Sequence, residues 1–269
     1  MPELKKKDSL ALIETRGAYL KSLTLAGKQV ITPPIDGKPT HGGCAVLFPF
    51  ANRVKGGLYV FAGKTFRLPT NEEGNAIHGL VLDTEWQIQS HTPSSISLSL
   101  RLEHRAYPTV LKTCLTYSLE QDHLDVGLSV INEGDSDGPL VVGFHPYFNV
   151  GKEWRLKHSS PLRRLNMVSH FPDGTFQDYD FNSLEEPWKL TFDDCFVGGG
   201  TLVLVGRDLK LSISRRNMEF FQLYNGVYAL GSVALEPMTG APDAYNNGIG
   251  LTVIRPGEKL SCGFTLSIV

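Results

Sequence analysis

Three features of the sequence predict an all-β fold, a large antiparallel β-sandwich with few or no helices. Apolar residues recur with a period of two over much of the chain, the spacing that turns alternate side chains of a strand to one face. Gly (27 residues) and Pro (16 residues) interrupt these runs at short intervals, as turns between strands require. No stretch carries the apolar spacing of a three-turn amphipathic helix, and a Rossmann or TIM-barrel fold needs such a helix at every crossover.

The elements follow in chain order. The first 31 residues supply two short runs, LALIE and LKSLTL, separated by Arg16-Gly17-Ala18. SISLSLRLE (95–103) alternates. Leu111, Thr113, Leu115, Tyr117 and Leu119 alternate with polar residues, and after Glu120-Gln121-Asp122-His123 the pattern resumes at Leu124, Val126, Leu128 and Val130. That is a hairpin of two half-buried strands. TLVLVGRDLKLSISR (201–215) alternates as well, and IGLTVIRPGEKLSCGFTLSIV (249–269) reads as a further strand pair turned at Arg255-Pro256-Gly257-Glu258. Gly198-Gly199-Gly200 lacks the Lys-Ser/Thr and the helix of a phosphate-binding loop, so it reads as a connection between strands. With no linker, repeat or low-complexity tract, residues 1–269 read as a single domain.

Composition narrows the partners. The 26 basic residues against 28 acidic ones give a net charge of −2, without the electropositive footprint that nucleic acid or an anionic membrane demands. No apolar run reaches the about 18 residues of a membrane span. The basic start, MPELKKKDSL, is not followed by the continuous apolar segment of a secretory signal. The expectation is a cytoplasmic protein that handles a small molecule. Cys44, Cys114, Cys195 and Cys262 are far apart and form no CxxC pair, so they are expected to be free, buried or half-buried thiols rather than a metal site or a disulfide framework.

Six segments break the alternation by setting polar residues among aromatics and glycines: 41–54, 71–80, 143–150, 191–196, 220–226 and 234–246. In a helix-poor protein, loops and one open sheet face are the natural suppliers of a ligand site. Two histidines, an arginine and two or more carboxylates suit proton transfer on a neutral polar substrate. Each residue alone has an ordinary reading: His145 as a core histidine, Glu236 and Arg53 as structural ion-pair partners, Asp193-Asp194 as an exposed turn.

Taken in order, the segments resemble the aldose 1-epimerase (galactose mutarotase-like) family over about residues 40 to 250. The resemblance is carried by Asn52-Arg53, Ile77-His78-Gly79-Leu80, His145-Pro146-Tyr147-Phe148, and Asp193 before Asp194-Cys195-Phe196. Gln222 and Tyr224 in FQLYNG, and Glu236-Pro237 followed by Pro242 and Asn246, complete it. It departs from members acting on free hexoses, which often carry Gly-Arg shortly before the Asn-Arg pair; here Phe48-Pro49-Phe50-Ala51 precedes it.

The resemblance implies a β-sandwich with a sugar on a concave sheet face, and interconversion of the α and β anomers of an aldose. Glu236 is implied as base at O1 and His145 as acid at O5, across the ring from one another, with His78 a second donor. Arg53, Asn52, Asp193 and Gln222 would grip ring hydroxyls, and Tyr147 and Tyr224 would wall the apolar faces. It implies no cofactor, no metal, and a monomer or homodimer. Three alternatives stand beside it. A hexose-6-phosphate 1-epimerase would recruit Arg67, Arg101, Arg105, Arg163 or Arg164; a glycosidase would use Glu236 with Asp193; a non-catalytic carbohydrate-binding β-sandwich would only hold the sugar. The Asn52-Arg53 and His78-Gly79-Leu80 signatures favour the neutral sugar.

Overall fold

In the computed structural model, which describes residues 1–34, 36–229 and 231–269, the clearest alternation of the sequence becomes the clearest hairpin. Leu111–Leu119 and His123–Asn132 pair with Leu115 opposite Leu128, and every second residue is buried. This hairpin is the centre of an eight-stranded antiparallel sheet. Its order is Gln87–Thr92, Ser95–Leu102, Leu111–Leu119, His123–Asn132, Lys259–Ile268, Lys210–Arg216, Leu202–Val205 and Arg155–His158.

A second, eleven-stranded sheet covers it. It begins at Glu3–Lys6, Ser9–Glu14, Tyr19–Leu25 and Lys28–Ile31, the last joined by Cys44–Leu47. It continues through Gly143–Phe148, Val233–Met238, Phe220–Tyr224, Asp193–Gly198, Leu162–Val168 and Phe171–Asp178. The inner faces of the sheets meet at Phe144 and Phe264, edge to face at 5.1 Å. They are also tied by the Tyr117 hydroxyl, which donates to the Ala18 carbonyl at 2.8 Å. The antiparallel β-sandwich expected from the sequence is therefore the observed architecture. Among the described residues helix is confined to Ala244–Asn247 and three 3₁₀ turns, and no helix is long and apolar enough to cross a membrane.

One strand reading needs correction. Residues 249–269 are not a hairpin. Thr252–Ile254 pairs with Gly138–Leu140, while Lys259–Ile268 joins the eight-stranded sheet. Asn132 enforces the split: its backbone bonds both Gly257 and Glu258, and its side-chain amide donates to the Ile254 carbonyl at 2.9 Å. The alternating run 201–215 forms two paired strands, Leu202–Val205 and Lys210–Arg216. Of the triple glycine, Gly198 ends the strand Asp193–Gly198, and Gly199-Gly200 begin the expected connection to Leu202–Val205. All four cysteines are free, Cys114 half-buried and the others buried.

The middle of the large sheet differs from its flanks. Gly143–Phe148 and Val233–Met238 are buried at every residue, because one face packs on the core and the other is roofed by irregular segments. One crossing fixes that roof. Phe48 and Gly79 form a parallel bridge, and Leu80 donates to the Phe48 carbonyl at 2.8 Å. Gly79 has φ +87°, and a Cβ there would stand 2.3 Å from the Phe48 oxygen. Backbone on both sides leaves no soft group to yield. Gly79→Ala is expected to cost about 1–3 kcal/mol, lowering Tm by about 2–12 °C; an unchanged thermal melt would show that the crossing constrains nothing.

Candidate active site

The site begins as a register. Gly143 lies opposite Met238 and Tyr147 opposite Ala234, so His145 faces Glu236. Glu236 in turn lies opposite Gln222, and Gln222 opposite Cys195. Two residues along the same strands lies a second row, Asp193, Tyr224, Ala234 and Tyr147. Side chains two apart share a face, so both rows point the same way, opposite to Phe144, Phe196 and Phe221.

Over this floor stand the segments predicted to join from afar. Arg53–Val54 pairs with Ala76–Ile77, Arg53 opposite Ile77, and the His78 amide donates to the Asn52 carbonyl at 2.9 Å. Asn52 (φ 54°) and His78 (φ 61°) both hold left-handed backbone, a strained state for residues other than glycine. Asp243 clamps the same segment: its amide donates to the Arg53 carbonyl at 2.7 Å and its carboxylate accepts from the Lys55 amide at 2.9 Å.

The result is a cleft of about 290 Å³ lined by Asn52, Arg53, His78, His145, Tyr147, Asp193, Tyr224 and Glu236, together with Thr40, His41, Asn71, Glu73, Ile77 and Tyr228. Every expected site residue is here except Gln222, which lies below and donates through Nε2 to Asp193 Oδ1 at 2.7 Å. The sequence reading missed the rim. His41, Asn71 and Glu73 lie inside segments already singled out and Thr40 borders one, whereas Tyr228 follows a strand in a loop with no marker residue. His41 stacks on Tyr228 at 3.8 Å.

At the centre His145 Nε2 is 3.4 Å from Glu236 Oε1, both residues no more than 5 % accessible. The expectation that acid and base face each other across a sugar ring is corrected by this distance: no ring fits between them. They stand side by side. His145 stacks on Tyr147 at 4.9 Å and meets His78 edge to face at 5.1 Å, and the Tyr147 hydroxyl donates to the Thr40 carbonyl. Arg53 lies 3.4 Å from Glu73 and 4.0 Å from Asp193. Of the seven buried side-chain polar atoms without a protein partner among the described residues, four are here: His78 Nδ1, His145 Nδ1, Gln222 Oε1 and Glu236 Oε2. Buried polar atoms are normally paired, so this cluster is built to receive a polar ligand.

Burial sets the protonation. It raises the Glu236 carboxyl well above its ordinary value, with the Asp193 charge adding to the rise and Arg53 opposing it. It lowers His145 to about 3 and takes His78 well below its usual value, helped there by the neighbouring His145 and Arg53. Both shifts favour the form in which the Glu236 carboxyl keeps its proton and the His145 imidazole carries none.

Comparison with known proteins follows this geometry. A family model described as aldose 1-epimerase matches residues 3–267. The uncharacterized protein YihR of Escherichia coli K12 is 30% identical over 270 residues, covering 93% of this chain and 87% of its own. A maltose epimerase of Levilactobacillus brevis is 27% identical over 188 residues, covering 57% and 54%. Among solved structures, a putative aldose 1-epimerase from Escherichia coli K12 superimposes with a TM-score of 0.85 at 22% identity, covering 99% of this chain and 98% of that one. That likeness shows the same fold.

The pKa directions give a stability prediction whose sign is fixed. Because folding raises the Glu236 pKa, its contribution is complete below the ordinary carboxyl value of 4.5 and is lost as pH climbs toward the raised value. His145 runs the other way: its contribution is present above 6.5 and lost as pH falls toward 3. Glu236→Gln has no carboxyl to ionise, so its stability relative to wild type should climb as pH rises above about 4.5, by up to roughly 1.4 kcal/mol per pH unit until the raised value is reached. A Glu236 that served as a structural ion-pair partner would instead make the variant less stable at pH 8, and thermal melts at pH 4.5 and 8 separate the two.

Proposed function

The chain belongs to the aldose 1-epimerase family, and from that premise we propose that it interconverts the α and β anomers of a free, uncharged aldose, with Glu236 as base at O1 and His145 as acid at O5. The observation that carries the proposal is the buried Glu236–His145 pair, Oε1 and Nε2 standing 3.4 Å apart on the cleft floor. O1 and O5 of a hemiacetal are bonded to the same carbon, so the groups that serve them must stand side by side, as these do.

Ring opening starts from the carboxylate–imidazolium form of the pair. Glu236 takes the O1 proton, the C1–O1 double bond forms, the C1–O5 bond breaks, and His145 delivers its proton to O5. The pair is left as carboxylic acid and neutral imidazole. Rotation about C1–C2 and reclosure with the roles reversed gives the other anomer and restores the starting form. The neutral form is favoured by burial alone; hydroxyls donating to the unpartnered Glu236 Oε2 favour the carboxylate once sugar is bound. His78, held neutral, offers a second ring N–H near O5. Arg53, Asn52 and Asp193 grip the hydroxyls, Gln222 holds Asp193 from below, and Tyr147 and Tyr224 wall the C–H faces.

The cleft wall supports an uncharged sugar. Arg67, Arg101, Arg105, Arg163 and Arg164 do not line it: Arg101 pairs with Glu103 and Glu133, Arg163 lies over Phe176, and Arg164 binds Asp194. The lining cation, Arg53, already faces Glu73 and Asp193. Its volume lies at the small end for ligand sites (about 300–1,000 Å³), which supports one enclosed ring. A glycosidase would take Asp193, which lines the same cleft, as its second carboxyl, but both oxygens of Asp193 are engaged, by Gln222 and His170, while Glu236 faces an imidazole.

Polarimetry of freshly dissolved α-glucose, α-galactose, maltose and a hexose 6-phosphate tests the reading, since a protein that only binds sugar leaves the spontaneous rate unchanged. Glu236→Gln should lower kcat by about 10²- to 10⁴-fold, roughly 2.7–5.4 kcal/mol of barrier, with sugar affinity changing far less. His145→Asn should lose a comparable amount, and the double variant little more than either alone. A folded Glu236→Gln protein that keeps over about a tenth of the rate, less than about 1.4 kcal/mol of barrier, removes Glu236 from the mechanism.

A further inference from the structure

The outermost hairpin of the large sheet, Leu162–Val168 with Phe171–Asp178, ends in a two-residue tip, Ser169-His170. Val168 lies opposite Phe171, and the two residues between them both have positive φ, 50° and 72°. Two-residue hairpins that need left-handed backbone at both positions favour Asn-Gly or Asp-Gly, because other residues pay a steric penalty there. Packing does not impose the conformation either, since Val168 is 63 % accessible and Ser169 and His170 are exposed.

What the strained tip achieves is contact with the cleft. His170 Nδ1 lies 3.1 Å from Asp193 Oδ2. The other oxygen of that carboxylate accepts from Gln222, and Arg53 stands 4.0 Å from Oδ2. The next residue repeats the link: the Phe171 ring lies 5.5 Å beneath the ammonium of Lys55, two residues beyond Arg53. The hairpin is thus tied at its tip to both walls of the site, by residues that do not themselves line it. The hairpin itself sets the left-handed turn; what turn preference leaves unexplained is a histidine rather than a glycine at its second position, and the contact with Asp193 supplies the reason.

We infer that His170 is a positioning residue for the sugar, one that fixes the Asp193 carboxylate in the orientation in which it grips a ring hydroxyl. The inference rests on the aldose reading of the cleft. With His170 removed, Oδ2 keeps only the distant Arg53, and the carboxylate is held by Gln222 through one oxygen. Sugar binding weakens, while Glu236, two strands from Asp193, and His145, three strands away, keep their contact with each other.

Three variants test this: His170→Gly, His170→Asn, and Ser169→Asn combined with His170→Gly. Each is measured for Tm, and for KM and kcat with the best aldose of the polarimetric screen. Glycine carries no penalty at positive φ, so His170→Gly and the double variant should melt no lower than wild type. Their KM should rise about three- to tenfold, the loss of one hydrogen bond, with kcat held within about twofold. Asparagine tolerates left-handed backbone and carries an amide donor near the Nδ1 position, so His170→Asn should recover most of the affinity. An unchanged KM in His170→Gly, a loss residing in kcat, or equal losses in the Gly and Asn variants would each overturn the inference while leaving the aldose reading intact. A wild-type protein that accelerates none of the sugars overturns both.

Discussion

Everything in the cleft depends on one antiparallel ladder, in which His145 comes to face Glu236 because Gly143 lies opposite Met238 and Tyr147 opposite Ala234. Side chains on a strand alternate with period two, so a slip of one residue in Gly143–Phe148 would turn His145 into the core and Phe144 into the cleft, leaving Glu236 without its partner. The next ladder adds Gln222 beside Glu236, and the next adds Asp193 beside Tyr224. Catalytic floor and hydrophobic core are two faces of the same strands. The Phe144–Phe264 and Phe196–Phe221 contacts therefore hold the register on which the chemistry relies.

Such a floor is costly. A buried polar atom left unpaired costs about 1–3 kcal/mol, and four of them share the cleft. The eight-stranded sheet offsets this by presenting an inner face of leucine, isoleucine and valine to the other side of the large sheet, including Leu98, Leu115, Leu128 and Ile213. Backbone strain gathers in the same region. Asn52, His78 and Asp243 have positive φ, and all three sit on the segments that roof the floor. Regular strands set the acid and base, and irregular chain held by the Asp243 clamp sets Arg53 and His78.

How much of this was legible follows from the same division. Strands with one wet face announce themselves by alternation, and Leu111–Leu119 and His123–Asn132 were read almost to the residue. Gly143–Phe148 and Val233–Met238 are buried on both faces, which erases the alternation; there the ordered signatures around His145 and Glu236, rather than periodicity, marked the site. The side-by-side placement of those two residues was not readable, because it depends on pairing between strands far apart in sequence. Nor was the separation of Thr252–Ile254 from Lys259–Ile268: a Pro-Gly turn reports that the chain reverses, not that its arms pair. Tyr228 and His170 stayed hidden because Val-Tyr in a loop and Ser-His at a hairpin tip carry no marker of their conformation. His170 became visible only through its dihedral angle and its contact with Asp193.

Opposite shifts from a single cause also explain why burial does not disable the proposed pair. Removing water penalises the carboxylate and the imidazolium alike, so it moves the resting proton from His145 to Glu236 without changing how many protons the pair holds. A reaction that only relocates protons between two oxygens of one carbon needs one proton and two places to put it. Had the residues been exposed, the histidine would lose its proton near neutral pH while the carboxyl had already ionised, and over part of the neutral range the pair would hold none. Buried together, they keep a single proton from about 3, where His145 takes on a second, up to the raised value of Glu236. Above it the carboxyl ionises beside a neutral imidazole and nothing remains to protonate O5. The arrangement therefore exchanges some driving force for ring opening, since the ion pair must be regenerated by contacts with the sugar, for a pair that shares one proton over a wider pH range and serves both directions of a reversible reaction.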